Sequence, residues 1–142
     1  MSMSNTLENS IALLLFNGTA IANLADNAAS SPATNLYVSF HTSDPGEAGS
    51  QTTNETSYTS YARVAVARSG SGWTVTGNSV SPAANVDAPQ CTGGTATLTH
   101  FGIGLSSSGP GTLLFKGTLS PNISVSSGVT PRLSTSTTIT FD

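Results

Sequence analysis

Apolar positions change their period once along the chain. Between residues 5 and 17, Leu7, Ile11, Leu14 and Leu15 fall at i, i+4, i+7 and i+8, the spacing of one helical face, and Leu13 and Phe16 widen it. Asn5 stands three residues before Glu8, so a variant of the capping box is expected to open the helix, and Asn17-Gly18 to close it. So wide an apolar face has to pack on a sheet or on a neighbouring subunit. Burial of each large side chain there contributes about 1.5–3 kcal/mol. A second, weaker helical stretch, AIANLADNAA (20–29), is expected to end at Ser30, Ser31 and Pro32.

From residue 35 the period is two. Leu36, Val38 and Phe40 alternate with Tyr37, Ser39 and His41, which predicts a strand with one face inward. SYARVAVARS (60–69), GWTVTG (72–77), TATLTHFGIGL (95–105), GTLLFKGTL (111–119), NISVS (122–126) and STTITF (136–141) follow, separated by Gly, Pro, Ser and Asn. That series predicts a mainly β fold, an antiparallel β-sandwich or jelly roll with a short N-terminal helix. SSSGPG (106–111) reads as a hairpin loop, so the strands on either side of it should pair directly. No repeat, linker or long charge run marks a second domain. Residues 1–142 are expected to form a single β-sandwich domain, with a helical segment, 1–32, packing on it.

Composition narrows the partners. Only 8% of residues are charged, against a usual ~25%, and roughly a third are Ser or Thr, so the surface is neutral and hydroxylated. A net charge of -3 with four basic side chains offers no cluster to neutralise phosphates, which excludes nucleic acid. The single Cys91 rules out an intrachain disulfide framework and reads as a small buried hydrophobe beside the TGG turn (92–94). MSMSNTLENS has no basic n-region, and IALLLF is far short of the ~18 apolar residues that span a bilayer. No membrane partner and no export by the usual route are expected.

Candidate chemistry centres on SFHTSDPGEAGSQ (39–51), which holds His41, Ser43, Asp44 and Glu47. A composite metal site with His100 is conceivable, but the spacing matches no dedicated ligand loop. Asp44-Pro45-Gly46 is a turn former, so the stretch reads as a strand exit. No metal or cofactor is expected. No G-x-S-x-G elbow occurs, and a triad would have to recruit one of two histidines, so the chain reads as no enzyme. FGIGLSSSGPG lacks a following Gly-Lys-Ser/Thr, and Gly102 and Gly104 are expected at a bulge or a close backbone contact. Arg63 and Arg68 read as a solvated strand edge. Tyr58, Tyr61 and Trp73 read as core or interface rather than a carbohydrate platform.

Taken in order, SNTLEN, NLYVSFHTSDPGEAGSQT, SYARVAV, NSVSPA, ATLTHFGIG, GTLLFKGTL and TTITFD resemble a family of small bacteriophage structural proteins. In that family S-N-x-L-E-N, YVALFTSDPTEAG, YARQAV, THFGIFD and LLYxGxL recur in the same order. The likeness covers nearly the whole chain, which departs from the pattern at TAIANLADNAASS (19–31) and APQCTGG (88–94). Members resembling this sequence are labelled capsid cement (decoration) proteins or tail fibre proteins, and no catalytic residues come with them. The resemblance implies a virion protein, synthesised in the bacterial host cytoplasm. The leading expectation is a cement protein on the capsid surface that binds the major capsid protein and itself, as a dimer or trimer, and prefers the assembled shell. The alternative is a tail fibre or receptor- or glycan-binding tail module. Candidate subunit or shell contacts are Leu7, Ile11, Leu14, Leu15, Tyr58 and Tyr61. An apolar patch around the helix would support cement; exposed aromatics near TSYTSY (56–61) would support the tail module.

Overall fold

The structure, a computed structural model, describes residues 3–21 and 32–141. Most of the second helical stretch expected above lies outside the described residues. One helix, α1 (Asn5–Asn17), precedes nine strands: β1 (Asn35–His41), β2 (Val64–Ala67), β3 (Trp73–Thr76), β4 (Ser79–Pro82), β5 (Val86–Asp87), β6 (Ala96–Gly104), β7 (Leu113–Val125), β8 (Arg132–Leu133) and β9 (Ile139–Thr140). They form a four-stranded sheet of order β2-β1-β6-β7, a three-stranded sheet β3-β4-β9 and a two-stranded pair β5-β8. The chain is mainly β with one short N-terminal helix, consistent with the expected β-sandwich or jelly-roll class. It divides into two compact units, Met1–Asn35 with Val66–Asn85 and Leu133–Asp142, and Leu36–Ala65 with Val86–Arg132. β4, β5 and β8 were not among the predicted runs; β5 and β8 have two residues each, too few to show a period, and the four of β4, Ser-Val-Ser-Pro, hold a single large apolar side chain.

In the first unit α1 packs against β3 and β4. Its N-cap is Ser4, whose Oγ accepts from the Leu7 amide at 3.4 Å, one residue before the expected Asn5. Gly18 closes the helix at φ 67°, with the Thr19 amide bonded to the Leu13 carbonyl, as Asn17-Gly18 predicts. The Arg68 guanidinium donates to the Leu15 carbonyl at 2.7 Å and the Leu14 carbonyl at 2.6 Å. It therefore neutralises the negative end of the helix rather than standing on a solvated strand edge.

The inward face of α1 is Glu8, Ala12 and Phe16, not the expected Leu7, Ile11, Leu14 and Leu15. Those four are left partly exposed, Leu7 at 37%. The aromatic side chains set this rotation. Phe16 meets Trp73 edge to face at 4.9 Å and Phe141 at 6.4 Å, and Phe16 and Trp73 are both fully buried. One well-placed ring outweighs a wider stripe of leucines.

In the second unit β1 pairs antiparallel with β6, and Val38↔Ile103 and Phe40↔Phe101 put four buried apolar side chains on one face. On the other face Ser39 opposes Gly102, His41 opposes His100 and Tyr37 opposes Gly104. A half-buried strand was expected, yet Ser39 and His41 are both fully buried. The two glycines supply the room. A Cβ at Gly102 would lie 2.7 Å from Ser39 Oγ and 2.8 Å from His41 Nε2, and one at Gly104 would overlap the Gln51 side chain and the Thr112 carbonyl. β6 continues through the predicted hairpin into β7, with Gly102↔Lys116 and Ile103↔Phe115 and a register shift beside Gly104. The runs GTLLFKGTL and NISVS merge into β7. Pro121 is tolerated there because β7 is an edge strand and its register against β6 shifts between Leu98 and His100.

Candidate functional site

The stretch 39–56 is tied down by backbone bonds, with the Thr42 amide donating to the Asn54 carbonyl at 2.9 Å and the Thr56 and Gln51 amides to the Phe40 and Gly111 carbonyls, each at 3.0 Å, and by side chains that add to them. Asp44 Oδ1 accepts from the Gly46 amide at 2.8 Å, and Lys116 Nζ approaches Oδ2 at 3.0 Å. The amide bond first, then Lys116, holds the Asp44 carboxyl below its usual range. Gln51, fully buried, accepts from the Ser106 amide at 2.9 Å and donates to the Ser106 carbonyl at 3.3 Å, so one side-chain amide pins the hairpin loop. His41 Nδ1 lies 2.9 Å from the Thr53 carbonyl, which can only accept, so the proton sits on Nδ1. Nε2 then accepts from Ser39 Oγ at 2.9 Å. The imidazole is neutral, and burial pushes its pKa down.

Glu55 and Arg63 complete this scaffold. Arg63 Nε reaches Glu55 Oε1 and Nη2 reaches Oε2, each at 2.7 Å, a two-pronged pair. The same guanidinium donates to the Ser106 carbonyl at 2.9 Å and the Gly109 carbonyl at 2.8 Å. Arg63 is thus buried, not a solvated edge residue as expected, and it clamps the loop between β6 and β7. Tyr61 Oη donates to Glu55 Oε1 at 2.8 Å and accepts from the Phe40 amide at 3.1 Å; burial drives its pKa well above the phenol range. Tyr58 packs edge to face on Tyr61 at 5.3 Å and donates to the Pro89 carbonyl at 2.8 Å; burial raises its pKa to about 12. Both tyrosines are therefore engaged inside the unit.

The sheet does bring the two histidines together, since His41 and His100 are register partners. His41 spends both ring nitrogens on Thr53 and Ser39, and His100 Nδ1 pairs with Thr99 Oγ1 at 2.8 Å. Among the described residues, no group of three or more His, Cys, Asp or Glu side chains converges on one point. Cys91 is buried, as its surroundings in sequence suggest, and its thiol donates to the Gly93 carbonyl at 3.2 Å.

Next to this network lies a cleft of 290 Å³ that sequence reasoning missed. Thr42, Glu55, Thr56, Ser57, Thr59 and Thr95 contribute to its walls. Thr56 is 4% exposed, and its Oγ1 has no hydrogen-bond partner in the protein. The available signal was the density of hydroxyls in TTNETSYTS (52–60), but its concave arrangement depends on 94–96 from a distant part of the chain.

The polar side chains Gln51, Glu55 and Arg63 of this unit thus fix loops. The chain matches the family described as podophage GP4 fiber I protein gp80 over residues 2–140, and it belongs to that family. It is a bacteriophage virion structural protein. No curated protein matches it. Among the described residues, no helix is long and apolar enough to cross a membrane.

Proposed function

We propose that the chain is a fibre component of the phage particle, with a structural rather than a catalytic task. The observation that carries this reading is membership, over residues 2–140, of a family described as a fibre protein. The loop clamps add support. Gln51, Glu55 and Arg63 hold the hairpin loop to the neighbouring segment, as a module that presents fixed loops requires. Incorporation into the particle is assigned to the partly exposed α1 stripe Leu7, Ile11, Leu14 and Leu15, which would seat on a neighbouring virion subunit. Tyr58 and Tyr61, the other two candidate contacts, have their hydroxyls engaged with Pro89 and Glu55.

The same partly exposed stripe supports a second reading, a cement protein bound to the major capsid protein. Deleting the gene and comparing the particles separates the two. Under the fibre reading, depleted particles withstand heat and osmotic shock like complete ones but adsorb poorly to cells. Particles that adsorb normally yet burst at lower temperature, and regain strength with added protein, would favour cement.

A further inference from the structure

We propose that the outer edge of β7 is a self-association site, at which residues 115–119 of two copies of this chain pair antiparallel about a two-fold axis through Gly117. The inference goes beyond the fibre reading and does not rest on it. β7 is the terminal strand of the four-stranded sheet, so every second residue turns its amide and carbonyl to a side on which the sheet has no further strand among the described residues. Its ladder with β6 is regular from Phe115 to Thr118, between two register shifts. The devices that usually blunt an edge do not guard this stretch. Lys116 is drawn across to Asp44 at 3.0 Å, and Pro121 lies beyond the stretch. Leu113, Leu114 and Phe115, three large apolar residues in a row, are left half-buried along the edge.

The stretch itself specifies a second copy as the occupant. The registers Ile103↔Phe115 and Phe101↔Gly117 put Phe115 and Gly117 on the core face, Gly102↔Lys116 and His100↔Thr118 put Lys116 and Thr118 on the other, and alternation adds the buried Leu119 to the first. Paired with itself about Gly117, the strand sets Phe115 opposite Leu119 of the second copy and Lys116 opposite its Thr118. Large apolar groups meet on one face, the smallest residue sits on the axis, and the two lysines avoid facing each other. Lys116 is the only charged residue of β7, and Asp44 balances it, so the strand holds no charge that selects a foreign partner. A groove of 460 Å³ lies between Gly46 and Glu47 on one side and residues 113–116 on the other. The same register brings the exposed Ser120 of the second copy opposite Leu114 in that wall, a hydroxyl that can donate to the exposed Glu47 carboxylate. The paired stretch spans about 17 Å, short of a standard interface, so the dimer is held in the micromolar range.

Sedimentation equilibrium of the full chain, from about 1 to 200 µM, tests this, and a monomer–dimer equilibrium is expected. Thr118 is exposed, and a charge placed there meets Lys116 twice per dimer. Thr118→Lys should therefore weaken dimerisation at least about 10-fold, and Thr118→Glu should tighten it about 3- to 10-fold. A second measurement does not depend on charge. Lys116→Cys chains mixed with Thr118→Cys chains under mild oxidation should give the mixed disulfide in preference to either homodimer, because only those two positions lie directly opposite; Cys91 is buried and does not compete. A chain that stays monomeric throughout the range, a trimer or larger assembly, a Kd that fails to move in opposite directions with the two Thr118 variants, or homodimeric disulfides as abundant as the mixed one would overturn the proposal. These measurements use the isolated chain, so the fibre reading stands or falls separately on the particles.

Discussion

Arg63→Met should be among the most damaging single changes outside the apolar core. It removes a guanidinium whose side chain is only 2% exposed, paired to a carboxylate 13% exposed, and with it both bonds to Glu55 and those to Ser106 and Gly109. Four such bonds cannot simply be summed, because the freed carbonyls relax toward solvent. Breaking a buried pair from one side costs about 3–5 kcal/mol, a large part of the 5–15 kcal/mol that holds a typical domain folded. Arg63→Lys keeps the charge but loses the two-pronged geometry and should cost about 2–4 kcal/mol. Urea unfolding of the purified variants measures this as a drop in midpoint at constant slope. The Glu55→Gln, Arg63→Met double variant should lose less than the sum of the singles, because neither charge is then stranded. Arg132→Ala, which breaks an exposed pair with Asp87, serves as the silent control. An Arg63→Lys midpoint indistinguishable from the parent would refute the clamp.

Three further outcomes follow from the same geometry. Burial lowers the His41 pKa below its ordinary 6.5, so the unfolded chain binds more protons just below that value; stability should be full above pH 6.5 and fall as pH drops through it, and His41→Gln should flatten that slope in pH-dependent melts. Gly102→Ala drives a Cβ against Ser39 and His41 and should cost about 1–3 kcal/mol by denaturation, whereas Gly70→Ala, with open space around it, should not. Phe16→Ala should cost about 3–5 kcal/mol and Leu7→Ala less than about 1 kcal/mol, with Leu7→Ala lowering incorporation into particles instead.

The period-two runs identified the strands of the four-stranded sheet, and β3 and β9 of the three-stranded one, because alternation survives wherever one face is apolar, as in Leu36, Val38 and Phe40. SSSGPG announced its hairpin through turn chemistry alone. The rotation of α1 was illegible because leucine spacing counts side chains equally, while Trp73 and Phe141, distant in sequence, decide which ring is swallowed. Ser39 and His41 looked solvent-facing because nothing in β1 discloses that Gly102 and Gly104 will lie opposite. Arg63 looked like an edge charge for a related reason. Its acceptors at Ser106 and Gly109 lie more than forty residues on, and its carboxylate partner is one of seven acidic residues with no local mark. The cleft escaped notice since a buried hydroxyl without a partner is a property of packing, not of composition.

The role proposed for this chain is in a fibre of the virion. Electron cryomicroscopy of purified particles, with a small epitope tag on the chain and antibody fragments bound to it, tests that claim most directly. Density from the fragments confined to fibres is the predicted result. Fragments distributed over the capsid faces, in register with the shell lattice, would contradict it.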